Sequence, residues 1–477
     1  MRALWLTATV ICSMLLAGSF QADADDLSPK APAVSGNVIR GEIMQPTVIP
    51  GNWIWEQPPM PPLEKVLREG KPNPFIYGLY EWPAGHLQYR DSIRKVGWRA
   101  CRCGGPVSDE AMRAFAEDNI EVMYCVGTTP QKLDATPQED EDFVRNYAQV
   151  ITALLMRYGP NGTFFRDNPK IPNRPVCNIE IWNEPNFQYL IPPDNRPQAN
   201  VEAARFALYA KLLPAAYAAA KGYSKDVNVV GFGAGGADAG DIRFIQSVNE
   251  AGPSAVRGYD VLSTHPYVDP VAPEATSVRS WGRYSIASSL EQIRAILAAH
   301  GRAETPIWYT EVGWAISKKD GGLYETAGVQ VSPDLQAAYV CRLYAFAQRL
   351  GVRRVHIMFI TDMDNYNSGF FQRDGSWRPS AHAVQTMIQL MPSPRLLGAV
   401  SDGKDGYFAY RFAPGPDESA APVLMAWNVS GPKVVELEIS SPRATITDML
   451  GHEQTIPVAG GKIRLEIGPL PIYVRRE

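Results

Sequence analysis

The chain has 477 residues, 45% of them hydrophobic and 20% charged, with a formal net charge of −4 and a pI near 6.0. That is an ordinary globular composition, long enough for one large domain and a smaller one. Mild acidity, with no Lys/Arg run and no repeated aromatic-basic pattern, excludes an electrostatic nucleic-acid footprint.

Taken in chain order, Arg2 precedes the apolar run Ala3 to Ala17, and Ala22-Asp23-Ala24 offers a small-x-small cleavage site. This layout predicts a signal peptide over residues 1–24 and export to the periplasm or beyond, with a mature start near Asp25. A retained membrane anchor is the alternative, but the run is short for a spanning helix, and no second segment is apolar enough to span. Removing the leader, which contains Cys12, leaves Cys101, Cys103, Cys125, Cys177 and Cys341. An odd number leaves at least one thiol free or paired externally, and buried free thiols are favoured over one or two disulfides. Their spacing fits no zinc pattern. With only six His and no His-Glu-x-x-His, neither a metal nor an organic cofactor is expected.

Residues 25–70 are rich in Pro and polar side chains and read as an extended lead-in. Over residues 71–394, apolar strand candidates then alternate with helical periods: Phe75 to Tyr80, Val96 to Cys103, Ile120 to Val126, Val176 to Glu184, Val227 to Phe232, Tyr259 to Thr264, Pro306 to Glu311 and Val355 to Thr361. Helices are expected in most gaps, among them the stretch around Phe143 to Tyr158, Val201 to Lys221, Ser288 to His300 and Asp334 to Leu350. Eight strand-helix units predict an α/β fold, a (β/α)₈ TIM barrel, in which functional groups gather at the carboxyl ends of the strands. Residues 395–477 change character. Short strands at Tyr407 to Phe412, Val423 to Val429, Val434 to Ile439, Ala444 to Asp448, Ile463 to Ile467 and Pro471 to Val474 predict an all-β, sandwich-like module.

The chemistry is concentrated at two strand ends. Ile179-Glu180-Ile181-Trp182-Asn183-Glu184-Pro185 ends a strand, because Pro185 cannot donate to a ladder. A lone Glu-Pro is usually a turn carboxylate capping the next helix. The full Trp-Asn-Glu-Pro string arises by chance in a chain this long only on the order of one time in a thousand. Ile307-Trp308-Tyr309-Thr310-Glu311 ends another strand, three further round the barrel. Glu184 and Glu311 then open onto one mouth from opposing walls, as hydrolysis of a glycosidic bond requires. One must be protonated to donate to the leaving oxygen while the other attacks the anomeric carbon, and repulsion between two such groups separates their protonation steps. Asn183 can donate to a sugar 2-hydroxyl, and His265-Pro266-Tyr267 sets an imidazole and a hydroxyl beside Glu311. Glu180, four residues before Glu184, shares its strand face and either supports the site or sits in a polar layer of the barrel.

These motifs, Trp182-Asn183-Glu184-Pro185, His265-x-Tyr267 and Thr310-Glu311-x-Gly313-Trp314, resemble the clan A glycoside hydrolases over roughly residues 75 to 390. The resemblance implies a retaining barrel enzyme with Glu184 as acid/base, Glu311 as nucleophile, Asn183 as a 2-hydroxyl contact, and His265 and Tyr267 as neighbours of the nucleophile. With its β-module, the chain looks most like family 39 and its bacterial exopolysaccharide-cleaving relatives. The clan places an arginine from strand two in the site; Trp98-Arg99-Ala100-Cys101-Arg102 offers two, of which Arg99 is preferred. The clan also tends to carry a Trp at the end of strand eight. None lies in Phe359 to Asp364, which leaves Phe359, Phe370 or Trp377 to stack on the sugar. Among the aromatics near strand ends, Trp82, Trp182, Trp281, Trp314 and Trp377, Trp182 and Trp314 are taken as substrate contacts, with core packing as the competing role.

The expected activity is retaining hydrolysis of a β-linked oligo- or polysaccharide, without cofactor, nucleic acid or stable membrane insertion. A carbohydrate-binding barrel without turnover and a transglycosylase using the same intermediate are the alternatives. A nicotinamide oxidoreductase rests only on Gly231-Phe232-Gly233-Ala234-Gly235-Gly236, which fits the dinucleotide fingerprint. A glycine-rich loop at a barrel mouth serves equally to admit a bulky ligand.

Overall fold

The computed structural model describes residues 57–70, 75–131, 135–187, 198–236, 239–276, 285–316, 331–362, 367–417, 419–429 and 431–477. The expected signal peptide with Cys12 and its expected cleavage site, and Trp281, lie outside them. Eight strands, β1 (Ile76–Glu81), β2 (Ala100–Gly104), β3 (Glu121–Val126), β4 (Asn178–Ile181), β5 (Asn228–Gly235), β6 (Val261–His265), β7 (Ile307–Val312) and β8 (Arg354–Ile357), close into a barrel in chain order. The closure runs parallel from Ile76 opposite Arg354 to Leu79 opposite Ile357. Each strand overlaps a segment read from the sequence. Burial on both faces explains why they read there as near-continuous apolar runs.

The barrel interior is layered. Met123, Val230 and Val261 form an apolar plug, with Trp308 packed against it. At the amino end, Arg354 lies over the Trp308 ring at 4.3 Å and donates to Glu121 at 2.6 Å, to which Asn178 also donates at 2.7 Å. The plug closes that end and leaves the carboxyl end for chemistry.

Eleven helices are described: α1 (Leu63–Gly70), α2 (Pro83–Val96), α3 (Asp109–Glu117), α4 (Pro137–Tyr158), α5 (Thr163–Asp167), α6 (Gln198–Tyr223), α7 (Ala239–Glu250), α8 (Pro253–Val256), α9 (Ile286–Ala299), α10 (Pro333–Arg349) and α11 (Pro379–Leu390). Their starts follow local rules: Pro137 opens α4 behind a Thr136/Glu139 capping box, and the Ser332 side chain caps α10 ahead of Pro333. Helix α1 corrects the reading of residues 25–70 as wholly extended. Its Val66 is buried and accepts from Arg353 through its carbonyl at 2.7 Å, so a short helix gains from tertiary packing what its length denies it. No helix among the described residues is long and apolar enough to cross a membrane.

The C-terminal strands are β9 (Arg395–Asp402), β10 (Tyr407–Ala413), β11 (Val423–Asn428), β12 (Lys433–Glu438), β13 (Arg443–Thr447), β14 (Glu453–Pro457), β15 (Lys462–Ile467) and β16 (Ile472–Arg476). Six form an antiparallel sheet in the order β14-β13-β16-β11-β10-β9, faced by the antiparallel pair β12-β15. Alternation divides the large sheet: Leu424, Ala426, Ile472 and Val474 pack toward the β12-β15 pair, while Phe408, Tyr410, Met425, Trp427 and Tyr473 join the main core with the barrel's helices. The sequence reading missed β9 and β14. One carries Gly398, Ser401 and Asp402, and the other is a polar edge strand. The two facing sheets match the sandwich-like expectation.

Candidate active site

At the carboxyl end of the barrel, β4 delivers its acid through an unusual turn. Trp182 and Glu184 both adopt positive φ, 70° and 46°. Non-glycine residues reach that region at a cost of about 1–3 kcal/mol each, and surroundings must hold them there. Here the Trp182 amide donates to Val126 O at 3.1 Å and the Glu184 amide to Gly233 O at 3.0 Å. Asn186 clamps the following turn onto β5, donating to Gly235 O at 2.8 Å and accepting from its amide at 3.0 Å.

The glycines of β5 make the room. A Cβ on Gly233 would meet Trp182 O at 3.2 Å and the Glu180 carboxyl at 3.5 Å, and one on Gly235 would stand 2.6 Å from the Glu184 carboxyl. The dinucleotide reading of Gly231 to Gly236 is therefore corrected. Gly231, Gly233 and Gly235 lie inside a buried strand, with Gly236 just after it, and the second and third of them admit the Glu180 and Glu184 carboxyls.

An oxygen of Glu184, a nitrogen of His265 and an oxygen of Glu311 lie within 4.8 Å of one another. His265 Nδ1 shares a hydrogen bond with Glu184 Oε1 at 3.0 Å and stands 4.0 Å from Glu311 Oε2. Tyr267 donates to Glu311 Oε1 at 2.8 Å, and Arg102 Nη1 donates to Glu311 Oε2 at 2.7 Å. Among the described residues these three are also a group whose ligand atoms could hold a metal ion. With both Glu311 oxygens already accepting from protein donors, one of them cationic, the set is suited to a hydrogen-bonded carboxylate instead.

Arg102 is the site's organiser, which corrects the preference for Arg99. Arg99 precedes β2, is exposed, and donates to Trp98 O at 2.8 Å. Three residues on, at about 3.3 Å per residue, Arg102 reaches the carboxyl end. It is fully buried and spreads its fork over three oxygen acceptors: Nε to Glu180 at 2.5 Å, Nη1 to Glu311, and Nη2 to Asn183 Oδ1 at 2.7 Å. The Tyr80 ring lies under it at 4.7 Å. Because Arg has only donors, Asn183 must turn its oxygen inward, and its amide N–H groups are left for a ligand. Glu180 thus proves to support the site. Burial alone would raise its pKa, but the charge of Arg102, with His265 and the Thr310 hydroxyl, holds the carboxyl below the usual glutamate range. For Glu311, burial above all, with the charge of Glu184, holds the pKa above the usual glutamate range against the opposing pull of His265, Arg102 and Tyr267.

Two expected sugar contacts fall elsewhere. The Trp182 ring packs against Phe143 and Tyr147 at 6.0 and 5.7 Å, because its positive φ turns it into the barrel–helix layer. Trp314 is buried against Tyr339 and donates to Val271 O at 2.7 Å. Of the candidates near strand eight, Phe370 packs on Trp98 at 4.7 Å, and Trp377 lies against Phe371 and donates to Ser92 at 3.0 Å. Phe359 instead sits with Tyr80 and Trp82, at 5.1 and 5.3 Å, on the arginine side of the mouth. Cys101, Cys103, Cys125, Cys177 and Cys341 are all free thiols, as favoured. Cys125 Sγ accepts from Arg102 Nη2 at 3.4 Å.

No family model and no curated protein matches the chain by sequence. Solved structures do match its fold. A family 39 glycoside hydrolase from the gut symbiont Bacteroides cellulosilyticus superposes with a TM-score of 0.63 at 19% identity, covering 86% of this chain and 82% of that one. A monomeric β-xylosidase from Caulobacter crescentus gives 0.54 at 15% identity, covering 85% and 97%. A family 51 α-L-arabinofuranosidase from Thermotoga petrophila gives 0.57 at 11% identity, covering 84% and 97%. The chain therefore shares the fold of these glycoside hydrolases, and its own (β/α)₈ barrel is followed by a β-module. Family 39 is represented among these neighbours, as the sequence resemblance led one to expect.

Proposed function

We propose that this protein is a retaining glycoside hydrolase that cleaves β-glycosidic bonds of an oligo- or polysaccharide, exported by its leader. The observation that carries the reading is the Glu184/Glu311 pair, whose oxygens approach within 4.8 Å. Retaining enzymes hold their carboxyls about 5–5.5 Å apart, whereas inverting ones leave about 6.5–9.5 Å for a water.

The donors divide the labour. Glu311 receives a guanidinium and a phenol, donors that fit an ionised nucleophile and oppose the upward pull of its burial. The mechanism requires Glu184 to deliver a proton, from the oxygen that does not face His265 Nδ1. Glu311 attacks the anomeric carbon as the bond to the glycosidic oxygen breaks, and Glu184 gives its proton to that oxygen. In the ester formed, Glu311 has lost its charge. Glu184, now ionised, takes a proton from water as the water displaces Glu311, and both carboxyls return to their first states. The Asn183 amide can donate to a 2-hydroxyl, a contact worth more as oxocarbenium charge develops.

The test is hydrolysis of 4-nitrophenyl β-glycosides by wild type and Glu311→Ala. A fall in kcat of at least about 10³ is expected. Unchanged turnover would remove the nucleophile assignment, and no turnover of any glycoside by wild type would favour the binding-barrel alternative.

A further inference from the structure

The glycosidase reading assigns Glu184 to the leaving-group side of the broken bond, and one aromatic stands beside it that neither the mechanism nor the core uses. Phe187 is 41% exposed, a rare state for a large apolar ring in this molecule, in which Trp182, Trp314, Phe370 and Phe371 are all buried. It is tied to the acid by a tight turn, its amide donating to Glu184 O at 2.9 Å with Pro185 at the second position. The ring and the carboxyl rest over the same glycine. A Cβ on Gly235 would lie 2.5 Å from Phe187 Cε2 and 2.6 Å from Glu184 Cδ, which puts ring and carboxyl within about 5 Å of each other. Tyr80, Trp82 and Phe359 cluster instead beside Arg102, which is bonded to the nucleophile.

Resting on that reading, we infer that Phe187 is the platform on which the leaving group stacks, selecting leaving groups that present a flat C–H or aryl face to it. A ring beside the proton donor meets the departing half of the substrate, because the proton goes to the oxygen joining the two halves. Such contacts are worth about 0.5–1.5 kcal/mol in comparable ring pairs, or about 3- to 10-fold in rate constant.

The experiment compares wild type and Phe187→Ala on three substrates of whichever sugar a β-glycoside panel selects: the β-glycosyl fluoride, the 2,4-dinitrophenyl β-glycoside and the β-linked disaccharide. The fluoride has no leaving-group ring, and the dinitrophenolate leaves without protonation. We expect kcat/KM to be unchanged on the fluoride and about 3- to 10-fold lower on the dinitrophenyl glycoside. A parallel loss on the disaccharide assigns the platform to sugar rings as well, and no loss there assigns it to aryl aglycones. Loss on the disaccharide alone would mean that Phe187 positions the acid, and equal loss on all three would mean a structural role; either overturns the inference. If wild type cleaves none of the three, the glycosidase reading itself falls, and the inference with it.

Discussion

Replacing Arg102 by Met isolates the charge at the centre of the site, because Met matches the arginine stem in bulk but carries no donor. The guanidinium bonds both Glu180 and Glu311, which are 0% and 8% exposed. At a charge separation of about 4 Å and an effective dielectric of about 20, each attraction is about 4 kcal/mol, equivalent to an upper limit of about 3 pK units. In the variant, Glu311 should therefore hold its proton well past its present pKa, and the acid limb of kcat/KM should climb by about 1–3 units. A 2,4-dinitrophenyl glycoside reads that limb alone, since its leaving group needs no proton. Stability supplies a second readout. Glu180 has a depressed folded-state pKa, so its contribution is present above the unfolded value of about 4.3 and is lost as pH falls through the folded one. Breaking a buried pair costs about 3–5 kcal/mol, so the melting temperature should drop clearly at about pH 7, with the gap to wild type narrowing near about pH 4. An unmoved acid limb together with a pH-independent gap would refute this account of Arg102.

Three further outcomes follow from the same geometry. Glu184→Gln should leave kcat/KM and the acid limb on dinitrophenyl substrates nearly unchanged, because the neutral amide mimics the protonated acid and their leaving group needs no proton. On poor leaving groups it should cost about 10²–10⁴ in kcat/KM. Gly235→Ala should push on Phe187 and the Glu184 carboxyl, with contacts of 2.5 and 2.6 Å, and lower kcat/KM on poor leaving groups by about tenfold or more while dinitrophenyl turnover changes less. Away from the mouth, His86 is buried between Glu81 and Asp118, 3.2 and 3.1 Å from them. Burial alone would lower its pKa, but the two acids raise it. Its stabilising charge is fully present below about pH 6.5 and fades as pH rises through the folded value, so the melting deficit of His86→Gln should be largest in acid and shrink toward alkaline pH.

The barrel was legible because both-face burial writes apolar runs directly into the sequence, and the two catalytic candidates were legible because proline and glycine punctuate the ends of their strands. Arg99 was preferred over Arg102 for want of a rule on depth along the strand; alternation and the carboxyl-end position together would have selected Arg102, which shares the inward face with Ala100 and Gly104. Trp182 and Trp314 misled because a strand-end position does not fix which way a ring points, and the positive φ that turns Trp182 outward is invisible in its residue type. The glycines of β5 fitted a phosphate motif because room for a carboxylate and room for a phosphate require the same missing Cβ. Phe187 escaped notice altogether, since its meaning depends on Gly235, which is distant in sequence and adjacent in space.

The most direct test of the double displacement is to locate the covalent intermediate. Incubation with a 2-deoxy-2-fluoro β-glycosyl fluoride of the preferred sugar, followed by digestion and mass spectrometry, should show one added glycosyl mass whose fragment ions place it on Glu311, with turnover lost in step with labelling. A label on Glu184, or complete hydrolysis with an inverted first-formed product and no label, would contradict it.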